Sequence, residues 1–130
     1  MKQPVRILGI AGSLRKASYN RAALRVAGEL LPEGCTLDVF DLDGLPGFNE
    51  ELERNPPPAV VDLKNRIRIS DAVLFATPEY NYSVPGVLKN AIDWASRPYG
   101  ESAWGANPRR SWASPSVRWV LLARSTTCGR

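Results

Sequence analysis

The N-terminal part of the chain contains two kinds of hydrophobic pattern in turn. Nearly continuous apolar runs occur at Val5 to Ala11 and at Asp71 to Thr77, while Thr36 to Leu42 alternates apolar with polar residues. These patterns predict strands, and the continuous runs are typical of strands buried on both faces. Apolar residues recur at helical spacing after each run. The resulting order of strand, helix, strand, helix, strand and helix predicts a parallel sheet covered by helices on both faces.

Three segments have helical spacing. In residues 19–31 the predicted buried face consists of Ala23, Val26, Ala27, Leu30 and Leu31, and Pro32 with Gly34 ends the helix. A short helix is predicted around residues 60–67 and a third over residues 86–96. Residues 44–58, rich in Pro, Gly and Asn, predict a long loop before the second helix.

Charge divides the chain of 130 residues into two unequal parts. Residues 1–103 carry 12 Lys and Arg against 13 Asp and Glu, whereas residues 104–130 carry five Arg, no acid and three of the four Trp. This length allows one domain. We therefore expect a single domain over residues 1–108 and an atypical Arg- and Trp-rich tail over residues 109–130.

Composition excludes several functional classes. The chain contains no histidine, so catalysis by histidine and histidine metal sites are excluded, and Cys35 and Cys128 do not have the spacing of metal ligands. The N-terminal apolar run is too short, and too polar at Arg6, for a signal peptide or a membrane span. We expect no metal, no membrane association and a location in the reducing cytoplasm.

The loop after the first predicted strand, GSLRKASYN (residues 12–20), suits an anion. Gly12 permits a tight turn, Arg15 brings a fixed positive charge, and Ser18 or Asn20 is suited to cap the helix. Free N–H groups at the start of a helix favour an anion, although plain helix capping would require the same residues. The motifs GxxxxGK[ST] and GxGxxG are both absent, so a terminal phosphate monoester is a better match than a nucleoside triphosphate or a dinucleotide.

The loop after the third predicted strand, PEYNYSVPG (residues 78–86), suits a flat ring. Tyr80 and Tyr82 are able to flank a planar group, and Pro78 and Pro85 restrict the backbone. The alternative is an ordinary connection whose tyrosines cover the core. Ligands of open parallel sheets bind at the carboxyl ends of the strands, where both loops lie. A phosphate at one loop and a heterocycle at the other together indicate a mononucleotide such as FMN.

The segments GSLRKASYN and TPEYNYSVPGVLKNAIDW resemble the NADPH-dependent FMN reductase family, whose members have a flavodoxin-like doubly wound α/β fold and include quinone, azo-dye and chromate reductases. The resemblance extends from about Val5 to Pro108. It implies that FMN is the cofactor, with NADPH or NADH as co-substrate, and that no side chain acts as a general acid or base. The residues implied to bind the cofactor are Ser13, Leu14, Arg15, Ser18, Tyr19, Asn20, Pro78, Glu79, Tyr80 and Asn81.

The implied activity is transfer of a hydride from NAD(P)H to flavin N5 and then of electrons to a quinone, a flavin, an azo compound or a metal oxyanion. A homodimer or homotetramer is implied as well. Two alternatives differ from this reading: a flavodoxin-like electron carrier without NAD(P)H activity, and an inactive fragment or basic module acting through its tail. Arg and Trp in the tail suggest nucleic acid, but the tail lacks Lys and no second basic face supports it, so we expect no nucleic-acid partner.

The tail departs from the family pattern. A flavodoxin-like sheet has five strands in the order 2-1-3-4-5, whereas this sequence shows three clear strands and a possible fourth at residues 117–123. A permitted codon choice for residues 109–129, read from the third base of the first codon, gives AIMGVAVGALGTARAQYHLR, which resembles the continuation of the family. The pairs Trp112 with Ala113 and Trp119 with Val120 must each yield Gly in that frame. We expect the tail to be out of frame and the sheet therefore to be incomplete.

Overall fold

The structure, a computed structural model, describes residues 4–105 and 118–125. The described part is an α/β domain with the element order β1 (Val5–Ala11), α1 (Tyr19–Glu29), β2 (Cys35–Phe40), α2 (Pro58–Ile69), β3 (Ala72–Pro78), α3 (Gly86–Ser96) and β4 (Arg118–Ser125). The predicted bounds of β1 and α3 are confirmed, and β2 and β3 are shifted by one or two residues from prediction. The predicted alternation of strands and helices is confirmed.

The four described strands form one parallel sheet in the order β2-β1-β3-β4. Ile10 of β1 lies beside Phe40 of β2 on one side and beside Phe75 of β3 on the other. The strand predicted at 117–123 is observed as β4 beside β3, so the described strands follow the order expected of a flavodoxin-like sheet.

Helices cover both faces of the sheet. On one face, Leu8 and Ile10 of β1 and Val73 and Phe75 of β3 belong to a core with side chains of α2 and α3. On the other face, the alternate residues of the same strands pack with Leu24 of α1. Successive strand side chains point to opposite faces, and burial of both sets accounts for the continuous apolar runs.

The buried face predicted for the first helix is confirmed at Ala27, which packs against the core, and is wrong at Val26 and Leu30. The structure buries Leu24, only 1% exposed, whereas Val26 is 50% exposed and Leu30 is 77% exposed. The helix ends at Glu29, so Leu30 is its C-cap and no longer on a helical face. The side chain of Leu24 lies over Gly9 of β1, where a Cβ would come within 3.3 Å of Leu24 Cδ2. The missing side chain at Gly9 therefore makes room for Leu24 against the sheet.

The loop before α2 is tied to α3. Trp94 Nε1 and Asn90 Nδ2 both donate to the carbonyl oxygen of Pro46, over 2.8 and 2.9 Å, and Asn90 Oδ1 accepts from the N–H of Phe48 over 2.8 Å. A short 3-10 turn at Glu50–Leu52 interrupts the predicted loop. These bonds hold α3, and with it the loop that precedes α3, against the rest of the domain.

Candidate functional site

Two loops leave the carboxyl edge of the sheet side by side. The first loop, residues 12–18, follows β1, and the second loop, residues 79–85, follows β3. The N–H of Gly12 donates to the carbonyl oxygen of Ala76 over 2.8 Å, which extends the contact between the strands to the start of the first loop. A Cβ at Gly12 would lie 2.2 Å from Thr77 Oγ1 and 2.6 Å from Thr77 Cβ. Only glycine therefore permits this approach.

The first loop presents buried polar side chains. Ser13, Ser18 and Asn20 are all less than a tenth exposed. Ser13 Oγ accepts from the N–H of Arg15 over 3.3 Å, and Ser18 Oγ accepts from the N–H of Asn20 over 3.1 Å as the N-cap of α1. Because both hydroxyl oxygens act as acceptors here, their own protons remain able to bind an anion. Of the two caps that the sequence allows, Ser18 and Asn20, the structure has Ser18.

Further donors in and beside the first loop remain available. Among the described residues, no partner is found for the Asn20 carboxamide, and no acceptor is found for the N–H groups of Leu14, Lys16 and Ala17. Leu14, Lys16 and Ala17 are exposed, so a ligand could reach their N–H groups. They surround the N-terminal end of α1, where the helix dipole favours negative charge.

The charge around the first loop also fits an anion. Arg15 and Lys16 are exposed on the loop, and the first turn of α1 contains no acidic residue. Asp41, after β2, is engaged in a bidentate ion pair with Arg21 over 2.9 and 3.0 Å. Hydroxyls, amides and two cations at one helix terminus form the donor set that a phosphate monoester requires. The residues present therefore fit the phosphate of FMN.

Arg21 was not identified by the sequence analysis. Its Nε donates to the carbonyl oxygen of Ser13 over 3.3 Å, and its Nη2 approaches that of Leu14 at 3.5 Å. The pKa of its partner Asp41 is lowered, chiefly because the N–H of Asp43 donates to that carboxylate and also because Arg21 stabilises its charge. No local sequence pattern could reveal this pair, since its members are 20 residues apart.

The second loop is a tight two-residue turn. Tyr80 and Ser83 exchange both main-chain hydrogen bonds, each 3.0 Å long, around Asn81 and Tyr82. Asn81 has φ of 50° and Tyr82 has φ of 62°, the left-handed pair that type I′ turns require. Asparagine tolerates this conformation, whereas tyrosine rarely adopts it. Pro85 then caps the start of α3. The second loop thus has one well-determined shape.

The turn determines which groups of the second loop a ligand could contact. The main-chain N–H and carbonyl of Tyr80 are both bonded to Ser83, so this residue, which is 52% exposed, has its side chain and the second lone pair of its carbonyl left for a ligand. Tyr82 is 95% exposed at the tip of the turn. Thr77 Oγ1 donates to the carbonyl oxygen of Pro78 over 2.9 Å, at the point where the strand ends.

All ten residues expected to bind the cofactor lie on or directly beside these two loops. Four of them are buried, namely Ser13, Ser18, Asn20 and Pro78. Glu79 is partly buried, and the exposed members are Leu14, Arg15, Tyr19, Tyr80 and Asn81. The site therefore combines buried polar side chains with exposed charged and aromatic ones, and these groups could bind a ligand without acting as an acid or a base.

Among residues 4–105 and 118–125, no group of three or more Cys, Asp or Glu side chains is arranged to hold a metal ion. No helix in that part of the chain is both long and apolar enough to cross a membrane.

Comparison with known proteins agrees with this geometry. The family described as NADPH-dependent FMN reductase matches residues 5–113. An NAD(P)H-dependent FMN reductase of Pseudomonas aeruginosa is 54% identical over 99 residues, covering 75% of this chain and 54% of that protein. A quinone reductase of Pseudomonas putida is 50% identical over 109 residues, covering 83% of this chain and 59% of that protein.

A solved structure shows the same similarity. The flavoenzyme NAD(P)H:(acceptor) oxidoreductase FerB of Paracoccus denitrificans superposes with a TM-score of 0.74 at 43% identity, covering 80% of this chain and 57% of that one. The chain thus spans a little over half the length of the relatives it matches.

Substitution of Gly12 tests the close contact between the loops. Gly12→Ala is expected to destabilise the fold by about 1–3 kcal/mol, because its Cβ would overlap Thr77 and overpacking has this cost. Urea denaturation measures the change. Gly28→Ala in α1 is the matched control, since its Cβ would meet Leu37 Cδ2 at an ordinary 3.5 Å. It is expected to leave stability unchanged or to raise it by up to about 1 kcal/mol.

The double variant Gly12→Ala/Thr77→Gly makes the test specific. Removing the Thr77 side chain relieves the overlap, so the double variant is expected to be more stable than the two single effects predict when added. Additive effects would show that the contact does not constrain Gly12.

Proposed function

Because the chain belongs to the NADPH-dependent FMN reductase family, we propose that it binds FMN across its two loops and serves in hydride transfer from NAD(P)H to a small acceptor such as a quinone. The bound FMN would supply the redox chemistry at its N5 atom. The proposal rests on one observation. The first loop has hydrogen-bond donors available, and it starts at Gly12, which packs directly against Thr77, two residues before the aromatic second loop begins.

The two loops have different tasks in this proposal. Ser13, Ser18 and Asn20, with the amides of the first loop, would bind the phosphate, while Arg15 would balance its charge. The second loop would lie against the flat ring and set its position. A preorganised loop lowers the entropic cost of binding. The second loop is preorganised because Asn81 and Tyr82 form a defined turn and Pro78 and Pro85 restrict the backbone on either side of it.

No acid–base side chain is required for this activity. A chain without histidine is compatible with a reaction in which the cofactor accepts and returns the hydride. The protein's part is to bind, orient and partly shield the ring. The acceptor class follows from relatives described as quinone reductases, such as that of Pseudomonas putida.

We also propose that the chain acts as a homodimer or homotetramer in the cytoplasm, with the site near the subunit boundary. Several large side chains are exposed around the two loops, including Leu14, Tyr19, Tyr80 and Tyr82. Exposed apolar and aromatic side chains near one another support an interaction surface. The thiol of Cys35, unpaired among the described residues, agrees with a reducing compartment.

A second proposal concerns residues 109–130, which we infer to be read out of frame. Its support is that one permitted codon choice, read in the shifted frame, gives a segment resembling the family at the point where this sequence departs from it. Two glycines in that segment are forced whatever the codons, at Trp112 with Ala113 and at Trp119 with Val120. The domain would then consist of residues 1–108 followed by the shifted segment.

FMN binding is tested by titration with fluorescence quenching as the readout. Arg15→Ala and Asn20→Ala are each expected to raise the Kd for FMN about tenfold, because each removes a hydrogen bond or charge from the phosphate. Arg25→Ala is the matched control, since Arg25 is an exposed arginine of α1 outside either loop. A wild-type chain that does not quench FMN fluorescence would contradict FMN binding.

Stopped-flow mixing separates a reductase from an electron carrier. We expect NADPH to bleach the visible absorbance of flavin bound to this chain, as it would in a reductase. In an electron carrier that does not react with NADPH, the flavin absorbance would stay unchanged.

The role of the second loop is tested by Tyr80→Ala. The variant is expected to lose flavin during gel filtration or to elute at a smaller size, because the half-exposed ring would lie on the flavin or on a second subunit. Tyr99→Ala serves as control, since Tyr99 is exposed but lies outside both loops. Unchanged flavin content and elution volume would remove this role from Tyr80.

The reading frame is tested at the level of the gene. DNA encoding this chain is expected to continue, two bases on from the start of the Arg109 codon, into an open frame that encodes the remaining strands. An early stop codon in that frame would contradict the proposal.

A further inference from the structure

Arg21 connects three parts of the chain at the edge of the site. It lies in the first turn of α1, its guanidinium reaches the carbonyl oxygens of Ser13 and Leu14, and it forms a bidentate pair with Asp41 after β2. Its side chain is 23% exposed, whereas that of Asp41 is 52% exposed. A planar guanidinium suits this task, because its donors are fixed in one fork.

The two carbonyls determine the direction of two amides. In a trans peptide the C=O and the N–H of one peptide unit point in opposite directions. Since the carbonyls of Ser13 and Leu14 are directed to Arg21, the N–H groups of Leu14 and Arg15 must point away from it. The Arg15 N–H reaches Ser13 Oγ, while no acceptor for the Leu14 N–H is present among the described residues.

Asp41 holds Arg21 and cancels its charge. The carboxylate is itself fixed by the N–H of Asp43, which donates to Oδ1 over 3.0 Å. The pair carries no net charge, so Arg21 contributes orientation to the first loop more than attraction. Without Arg21, the negative charge of Asp41 would remain near the position where an anion binds.

We propose that Arg21, anchored by Asp41, is a positioning residue that turns the Leu14 amide of the first loop toward the phosphate of FMN. This inference rests on the proposed function of the same site. Arg21 would act through the carbonyl groups of Ser13 and Leu14, without touching the phosphate itself.

The test compares FMN with riboflavin, which lacks the phosphate. Arg21→Lys keeps the charge but loses the fork, so its Kd for FMN is expected to rise about tenfold while its Kd for riboflavin changes less than about twofold. Arg21→Ala is expected to lose more FMN affinity than Arg21→Lys, because it leaves the charge of Asp41 unpaired. The double variant Arg21→Ala/Asp41→Asn removes that charge and is expected to bind FMN more tightly than Arg21→Ala. In the ligand-free protein, the amide NMR resonances of Leu14 and Arg15 are expected to shift in Arg21→Lys.

The controls separate this inference from the function on which it rests. Arg25→Lys, on the exposed side of α1, is expected to leave both affinities unchanged. A wild-type chain without FMN affinity would overturn the proposed function and this role together. Wild-type FMN affinity in Arg21→Lys, or an equal loss for riboflavin, would overturn the positioning role alone. If Arg21→Lys does not fold, Asp41→Asn serves as the test variant. It is expected to lose FMN affinity by less than Arg21→Lys would, with no matching loss for riboflavin. An unchanged Kd for FMN, or an equal rise in the Kd for riboflavin, would contradict the role.

Discussion

The close approach of Gly12 to Thr77 is the contact on which the rest of the site depends. The first loop leaves β1 and the second leaves β3, and the neighbouring hydrogen bond from Gly12 to Ala76 brings the two strand ends together. No side chain fits between them. As a result, a group bound by the first loop is within reach of the second loop without any movement of the sheet. The parallel sheet places β1 beside β3, and the absence of a side chain at Gly12 lets the ends of these two strands approach closely.

The two loops keep their shapes for different physical reasons. The first loop is held from its carbonyl side by Arg21 and from within by hydrogen bonds to the hydroxyls of Ser13 and Ser18. The second loop accepts an unfavourable backbone conformation at Tyr82, which costs of the order of 1 kcal/mol. The paired hydrogen bonds of Tyr80 and Ser83 offset that strain. Rigidity on both sides suits a cofactor that must be held in one orientation.

Local signals in the sequence were sufficient where one strong cause acted alone. The apolar run of β1, the cap at Ser18 and the proline before α3 marked their elements within a residue or two. The buried face of α1 was misjudged, because the choice between Leu24 and Val26 depends on the missing side chain of Gly9 on another element. The Arg21–Asp41 pair was missed for the same reason, since it joins α1 to the loop after β2. Interactions between elements leave no periodic signal in either segment.

We propose that the two loops form one site, with phosphate at the first and the flavin ring at the second. Amide NMR of the isotope-labelled chain tests it directly, by comparing FMN, riboflavin and inorganic phosphate as ligands. FMN is expected to shift the amide resonances of both loops, riboflavin those of residues 78–83, and phosphate those of residues 12–20. Shifts confined to one loop with FMN, or concentrated elsewhere in the domain, would contradict it.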